Sequence, residues 1–142
     1  MTDIDTRVVE QTLLIAARPE TVWQYWTDPT FMRDWWGAAR LDPQPGGAYV
    51  VEMENGLVMR GEFVELVPYE RIVFSFGWDP ADGAPSVPPC STRVEVSLAA
   101  HDGDTILTLR HTLPTVMADD HRAGWAAHLP ALVAAVEGSP AR

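Results

Sequence analysis

Histidine is the residue type here that could most readily do chemistry near neutral pH. His111 follows Leu107 and Leu109 at every second position, so it shares their inward face. An imidazole among leucines is either a hydrogen-bonded core residue or a polar anchor or proton-transfer group in a cavity. The core interpretation is the stronger one, because the sequence identifies no orienting partner for His111.

Catalysis by proton transfer is the alternative, with His111 as the central group and Glu65 as a weaker second one. Glu65 lies in a segment whose facing is ambiguous, since a bulge would decide whether its side chain points inward or outward. The chain contains no nucleophile motif, phosphate loop or glycine-rich dinucleotide fingerprint. No cofactor is therefore expected.

Two more histidines lie on either side of Trp125, near the end of the chain. His121 and His128 could sit at the mouth of a cavity or be solvated surface side chains. A metal site would need a third convergent ligand, and the sequence offers none, so no metal is expected. Cys90 is the single cysteine and cannot form an intrachain disulfide.

Apolar and aromatic residues at inward-facing positions are candidates for the lining of a ligand cavity, because such cavities are mostly apolar. The same residues could fill an ordinary core, as aromatic residues usually do. Together with His111, the candidates are Trp35, Trp36, Met53, Met59, Phe74, Phe76, Trp78, Trp125 and Leu129.

A terminal helix over residues 119–138 must position Trp125 and Leu129, which fall on one apolar side at about 100° per residue. Gly124 removes a side chain beside Trp125 and allows close approach of backbone or ligand. Pro130 removes a helical hydrogen bond, which predicts a kink near residues 126–130.

The rest of the chain predicts an antiparallel sheet. A strand over residues 7–16 precedes two short helices that begin at Pro19 and Pro29, the second running to about Trp35. Five strands then form a meander, with hairpin turns at Asn55-Gly56 and Asp102-Gly103. The order β-α-α-β5-α predicts an α+β fold whose curved sheet wraps around the long terminal helix. The irregular segment 79–90, with few residues to anchor it, is predicted to be a mobile loop that could cover the cavity.

Composition predicts one soluble domain, residues 1–142, with a core over about 7–138. Twenty acidic residues against ten basic ones give a net charge of −10, which argues against nucleic acid or an anionic membrane surface as a partner. The first residues form no apolar signal segment, and no run of about 20 apolar residues could cross a membrane. A cytoplasmic location is therefore expected.

Several motifs in one order give the chain a family resemblance. They are ARPETVW, TDPTFMRDWW, the PGG of residues 45–47, PYERIVFSFGW, TILTLRH and HRAGWAAHLPAL. In this order they resemble the activator-of-Hsp90-ATPase-like branch of the START/Bet v 1-like (SRPBCC) superfamily. The resemblance implies a helix-grip fold with a cavity between the sheet and the last helix.

Three functions follow from that resemblance. Members of the superfamily bind lipids, polyketides, hormones or other apolar molecules, so binding of a small hydrophobic molecule is the preferred hypothesis. A module that binds or activates the Hsp90 chaperone, with a part in stress response, is the first alternative; it is weakened because 142 residues have no room for the further N-terminal domain of eukaryotic activators. A cofactor-free enzyme of the polyketide cyclase-like type, using His111, is the second. The sequence is compatible with a monomer or a homodimer.

Overall fold

The fold is a curved antiparallel sheet that holds a long C-terminal helix, as seen in a computed structural model that describes residues 5–138. This arrangement confirms the predicted α+β helix-grip fold. The elements in chain order are β1 (Thr6–Ile15), α1 (Pro19–Thr27), α2 (Pro29–Met32), β2 (Ala38–Leu41), β3 (Ala48–Glu52), β4 (Val58–Val67), β5 (Arg71–Phe76), β6 (Thr92–His101), β7 (Asp104–Pro114) and α3 (Thr115–Glu137).

The sheet has seven strands in the order β1-β7-β6-β5-β4-β3-β2, one more than the sequence predicted. The additional strand is β2, which pairs with β3 from Ala38 opposite Glu52 to Leu41 opposite Tyr49. Its four residues are too few for alternation to reveal a strand. β1 lies at the opposite edge and pairs along its length with β7, the last strand of the meander.

Local backbone geometry supports the predicted turn at Asp102-Gly103 and decides the facing of β4. At Asn55-Gly56 only the glycine has positive φ, 88°, and Glu52 pairs with Val58, so this connection is longer than the predicted two-residue hairpin. Asp102 and Gly103 both have positive φ, 51° and 86°, as a two-residue hairpin of the primed type requires. A register shift between Phe63 and Glu65 marks the predicted bulge. Phe63 is buried, whereas Glu65 lies exposed and forms an ion pair with Arg71.

The two short helices hold the Trp35-Trp36 corner against the sheet. Asp28 caps α2 by accepting a hydrogen bond from the Thr30 amide at 2.9 Å. α2 is shorter than predicted and ends at Met32, and a turn carries the chain to Trp36. The Trp35 indole donates to the Tyr25 carbonyl at 2.8 Å, which ties this corner to α1.

Helix α3 begins at Thr115, ahead of the predicted start at residue 119, because β7 passes directly into it at Pro114. Its buried face includes Trp125, Leu129, Leu132 and Val136. Pro130 lies on the exposed side, and the helix continues through it, so the kink stays a prediction. Within residues 5–138, no helix combines the length and apolar character needed to cross a membrane.

Candidate functional site

A cavity of about 100 Å³ opens where α3 crosses the end of the sheet. The β5 side contributes Phe76 and Trp78, and the preceding segments contribute Trp36 and Met53. The complete lining is Trp36, Met53, Phe76, Trp78, Pro85, Asp120, His121, Gly124, Trp125 and His128. Most of this wall is aromatic or aliphatic, and its charged carboxylate is Asp120.

A second, more polar space adjoins the cavity, and we call it the annex. It measures about 320 Å³ and shares Trp36, Met53 and His128 with the cavity. Its remaining lining residues are Arg33, Asp34, Trp35, Gly37, Glu54 and Asn55. The two spaces together form an apolar compartment with a polar extension.

His111 is fully buried behind the cavity wall, and the cavity lining does not include it. The Trp125 indole, which can only donate, lies 3.1 Å from His111 Nδ1, so this nitrogen is the acceptor. His111 Nε2 therefore carries the proton and donates to Thr92 Oγ1 at 2.9 Å. The Thr92 hydroxyl in turn donates a hydrogen bond to the Phe76 carbonyl oxygen at 2.8 Å. Both ring nitrogens are thus satisfied by the protein.

His121 forms a second indole–imidazole pair, in the cavity wall itself. The Trp78 indole donates to His121 Nε2 at 3.1 Å, which makes Nδ1 the protonated nitrogen. His121 Nδ1 then donates to the Met117 carbonyl at 2.8 Å, one turn earlier in α3. With an exposed fraction of 6%, His121 is a buried residue, so the solvated interpretation is wrong for it.

Both imidazoles are held neutral. Burial, with a smaller contribution from repulsion by His121, lowers the pKa of His111 to about 3. Burial also lowers the pKa of His121, against smaller opposing effects of the Met117 carbonyl and the Asp120 carboxylate. Protonation of either ring would place an N–H against an indole N–H, so the hydrogen-bond geometry leads to the same conclusion.

Gly124 leaves open space in the cavity wall. A Cβ built at this position would have no atom within 4 Å outside the adjoining helix backbone, so no packing contact requires glycine here. A glycine in a helix interior costs about 1 kcal/mol relative to alanine. The missing side chain therefore enlarges the cavity rather than relieving a clash.

The structure separates the predicted lining residues into three groups. Trp36, Met53, Phe76, Trp78 and Trp125 line the cavity. Trp35 lines the annex. The remaining candidates lie in the buried core outside both linings; they are Met59, Phe74, His111 and Leu129.

Glu65 and His111 are not brought together. His111 is buried and faces α3, whereas Glu65 is exposed and paired with Arg71. The bulge in β4 is the physical reason, because it follows the inward-facing Phe63 with an outward-facing Glu65. Among residues 5–138, no group of three or more metal-ligating side chains converges.

Sequence reasoning missed Asp120 and Pro85 and left His121 undecided. The spacing of His121, Gly124, Trp125 and His128 is that of one helical face, so including histidine in the apolar stripe would have placed His121 and His128 beside the cavity. Pro85 gives no such signal, because its segment has no periodicity. The loop was predicted to have few anchoring residues, and Val87 is one of them: it is buried, and its carbonyl accepts from the Trp78 amide at 2.7 Å.

Residues 16–137 match the family model described as Activator of Hsp90 ATPase homolog 1-like protein. The chain belongs to this family. The match confirms the resemblance drawn from the motifs. A search of curated proteins finds no match.

Solved structures of family-like proteins share the fold. An AHSA1-like protein from Rhizobium etli is 38% identical, with a TM-score of 0.73 over 94% of this chain and 84% of that one. The Aha1 dimer from Colwellia psychrerythraea is 17% identical, with a TM-score of 0.77 over 94% and 98%. DynU16, a protein of the dynemicin biosynthetic locus, is 22% identical with a TM-score of 0.79 over 95% of this chain, which spans about half, 49%, of DynU16. The AHSA1/SRPBCC fold commonly binds hydrophobic ligands.

Proposed function

We propose that this chain binds a small apolar or aromatic molecule in the cavity between the sheet and α3. The observation that carries the proposal is an open, mainly apolar cavity in whose wall the Trp78 and Trp125 indoles already donate to imidazoles of the protein. The indole N–H groups of Trp78 and Trp125 donate to His121 and His111. A ligand that enters therefore meets mainly ring faces and methionine, and the driving force is burial of apolar surface.

The volume of the site supports a ligand of one ring with a short substituent. The cavity alone, at about 100 Å³, is smaller than the roughly 150 Å³ engineered cavity that accepts benzene. The annex adds about 320 Å³ next to it, which brings the site into the roughly 300–1,000 Å³ range of small-molecule sites. A ring with a short substituent is of a size that the two spaces can hold together.

Proton transfer by His111 is not the function that this geometry favours. A general base needs a free nitrogen within reach of its substrate, and both nitrogens of His111 are engaged with Trp125 and Thr92. The lowered pKa of His111 arises from burial rather than from a poised catalytic environment. Chaperone binding is the other alternative. A solidly packed interface between α3 and the sheet would have favoured it, whereas a cavity is present there.

The decisive experiment blocks the cavity without disturbing its hydrogen bonds. Titration of the ¹⁵N-labelled protein with 2-phenylethanol should shift the backbone amide signals of residues around Gly124, and Gly124→Leu should abolish the binding because its side chain has room to fill the space. Ala123→Leu is the matched control, because Ala123 is exposed and outside the lining. Equal affinity in both variants would place the ligand elsewhere.

A further inference from the structure

We propose that the preferred ligand carries a positive charge: an apolar or aromatic amine whose ring lies in the cavity and whose ammonium group lies beside Asp120. This inference rests on the proposed function and narrows the chemistry of the same site. It follows from the aromatic wall, from the charges at the cavity and from the charge of the whole chain.

The cavity wall is a cluster of four aromatic rings in mutual contact. The ring centroid of Trp36 lies 6.4 Å from that of Phe76 and 5.2 Å from that of Trp125. Phe76 in turn lies 5.4 Å from Trp78. Aromatic faces carry negative potential, and a cation within about 6 Å of a ring centroid gains about 0.5–1 kcal/mol at an exposed site. An anion at the same position would be repelled.

Asp120 supplies an uncompensated negative charge to this wall. Its neighbour Asp119 is paired with Arg122 at 3.0 Å, whereas Asp120 makes no ion pair with any residue in the range 5–138. His121 cannot neutralise it, because the Trp78 indole occupies the nitrogen that a second proton would need. The cavity lining therefore holds a carboxylate and includes neither lysine nor arginine.

The surroundings of the cavity are also negatively charged. The annex contains one arginine, Arg33, against two carboxylates, Asp34 and Glu54. The net charge of −10 raises the local concentration of cations around the whole molecule and opposes the approach of anions. A ligand amine thus meets favourable potential during approach and in the bound state, and a ligand carboxylate meets unfavourable potential in both.

Three probes of similar size separate the charge from the apolar contribution: 2-phenylethylammonium, 2-phenylethanol and phenylacetate, each titrated at pH 7 and low salt. We expect the ammonium probe to bind about fivefold more tightly than the alcohol, as one exposed ion pair plus one cation–π contact would give. Phenylacetate should bind most weakly.

Asp120→Asn should lower the affinity for 2-phenylethylammonium by a factor about three times larger than that for 2-phenylethanol. Asp119→Asn is the matched control, because it changes the net charge equally on the same helix but removes a carboxylate already paired with Arg122. An equal effect of the two variants, or an ammonium probe no tighter than the alcohol, would overturn the charge preference and leave the proposed function intact. Failure of both the ammonium and the alcohol to bind would overturn the proposed function itself.

Discussion

The two buried histidines show how a few atoms determine the character of the site. His111 and His121 each accept one indole N–H and donate their own proton to an oxygen of the protein. A buried imidazole that accepts an indole N–H at one nitrogen can keep that bond only in its neutral form, so each histidine makes the site sensitive to acid.

Acid should destabilise the protein through His111. In the unfolded chain His111 has its ordinary pKa of 6.5, whereas in the folded protein burial lowers its pKa to about 3. Between these values the unfolded state binds the additional proton, so the free energy of unfolding should fall by about 1.4 kcal/mol for each pH unit below 6.5 from this residue alone. Above pH 6.5 its contribution is constant. Denaturant titrations at pH 6.5, 5.5 and 4.5 measure the slope.

A pair of variants isolates His111 from the carboxylates, which titrate over part of the same range. His111→Gln should have the shallower slope even if its stability at pH 6.5 is lower, because the titrating group is gone. His101→Gln should retain the slope of the unmodified protein, since His101 is exposed. Parallel slopes for all three proteins would show that His111 is not the acid-sensitive group.

At the scale of elements, patterns within one segment were predictable and contacts between segments were not. Alternation predicted β5 to β7, Pro19 predicted the start of α1, and the Asp28 cap with Pro29 predicted the start of α2, because these features depend on neighbouring residues. The partner of His121 is Trp78, separated from it by 43 residues, and only the packed fold brings the two rings together. The aromatic corner and Gly124 were recognised as cavity candidates, but the carboxylate at the cavity was not, since a single aspartate in a helix has no distinguishing pattern.

Helix α3 should become more stable when its glycine is replaced. Gly124→Ala adds a Cβ that meets open space, so the variant should gain about 1 kcal/mol in the free energy of unfolding from helix propensity. Gly61→Ala in β4 provides the contrast, because its Cβ would collide with the Ser75 carbonyl oxygen of β5. That variant should lose several-fold more stability than Gly124→Ala gains, as judged by thermal or urea unfolding. A destabilised Gly124→Ala would mean that the space beside α3 is already occupied.

At the scale of the whole molecule, segment 79–90 reaches the cavity through one residue, Pro85. Pro85 lines the cavity, while Val87 and the Arg60–Asp79 ion pair at 2.7 Å fix the loop at either side of it. The part between these anchors is therefore the part that could move as a lid over a bound ligand.

Ligand binding should slow amide hydrogen exchange in that part of the loop. The amides of Asp82, Gly83 and Ser86 should exchange rapidly in the free protein and more slowly with saturating 2-phenylethylammonium, because a ring in the cavity would hold Pro85 in place. The turn amides of Asp102 and Gly103 serve as the internal reference, since this hairpin lies outside the cavity lining. Unchanged exchange at Ser86 alongside protection around Gly124 would exclude a lid.

The indole–imidazole hydrogen bonds also provide native NMR signals for the state of the site. Among its six tryptophans, Trp78 and Trp125 donate their N–H groups to unprotonated ring nitrogens at 3.1 Å. Protons held in this way resonate downfield and are slow to exchange with water, so these two side chains should be distinguishable from indoles without a hydrogen bond in a proton–nitrogen correlation spectrum. Trp78 follows the end of β5, Trp125 belongs to α3, and both line the cavity. Ligand binding, destabilisation by acid and loss of either indole–imidazole hydrogen bond should each change one or both of these indole signals. No dye or spin label needs to be attached.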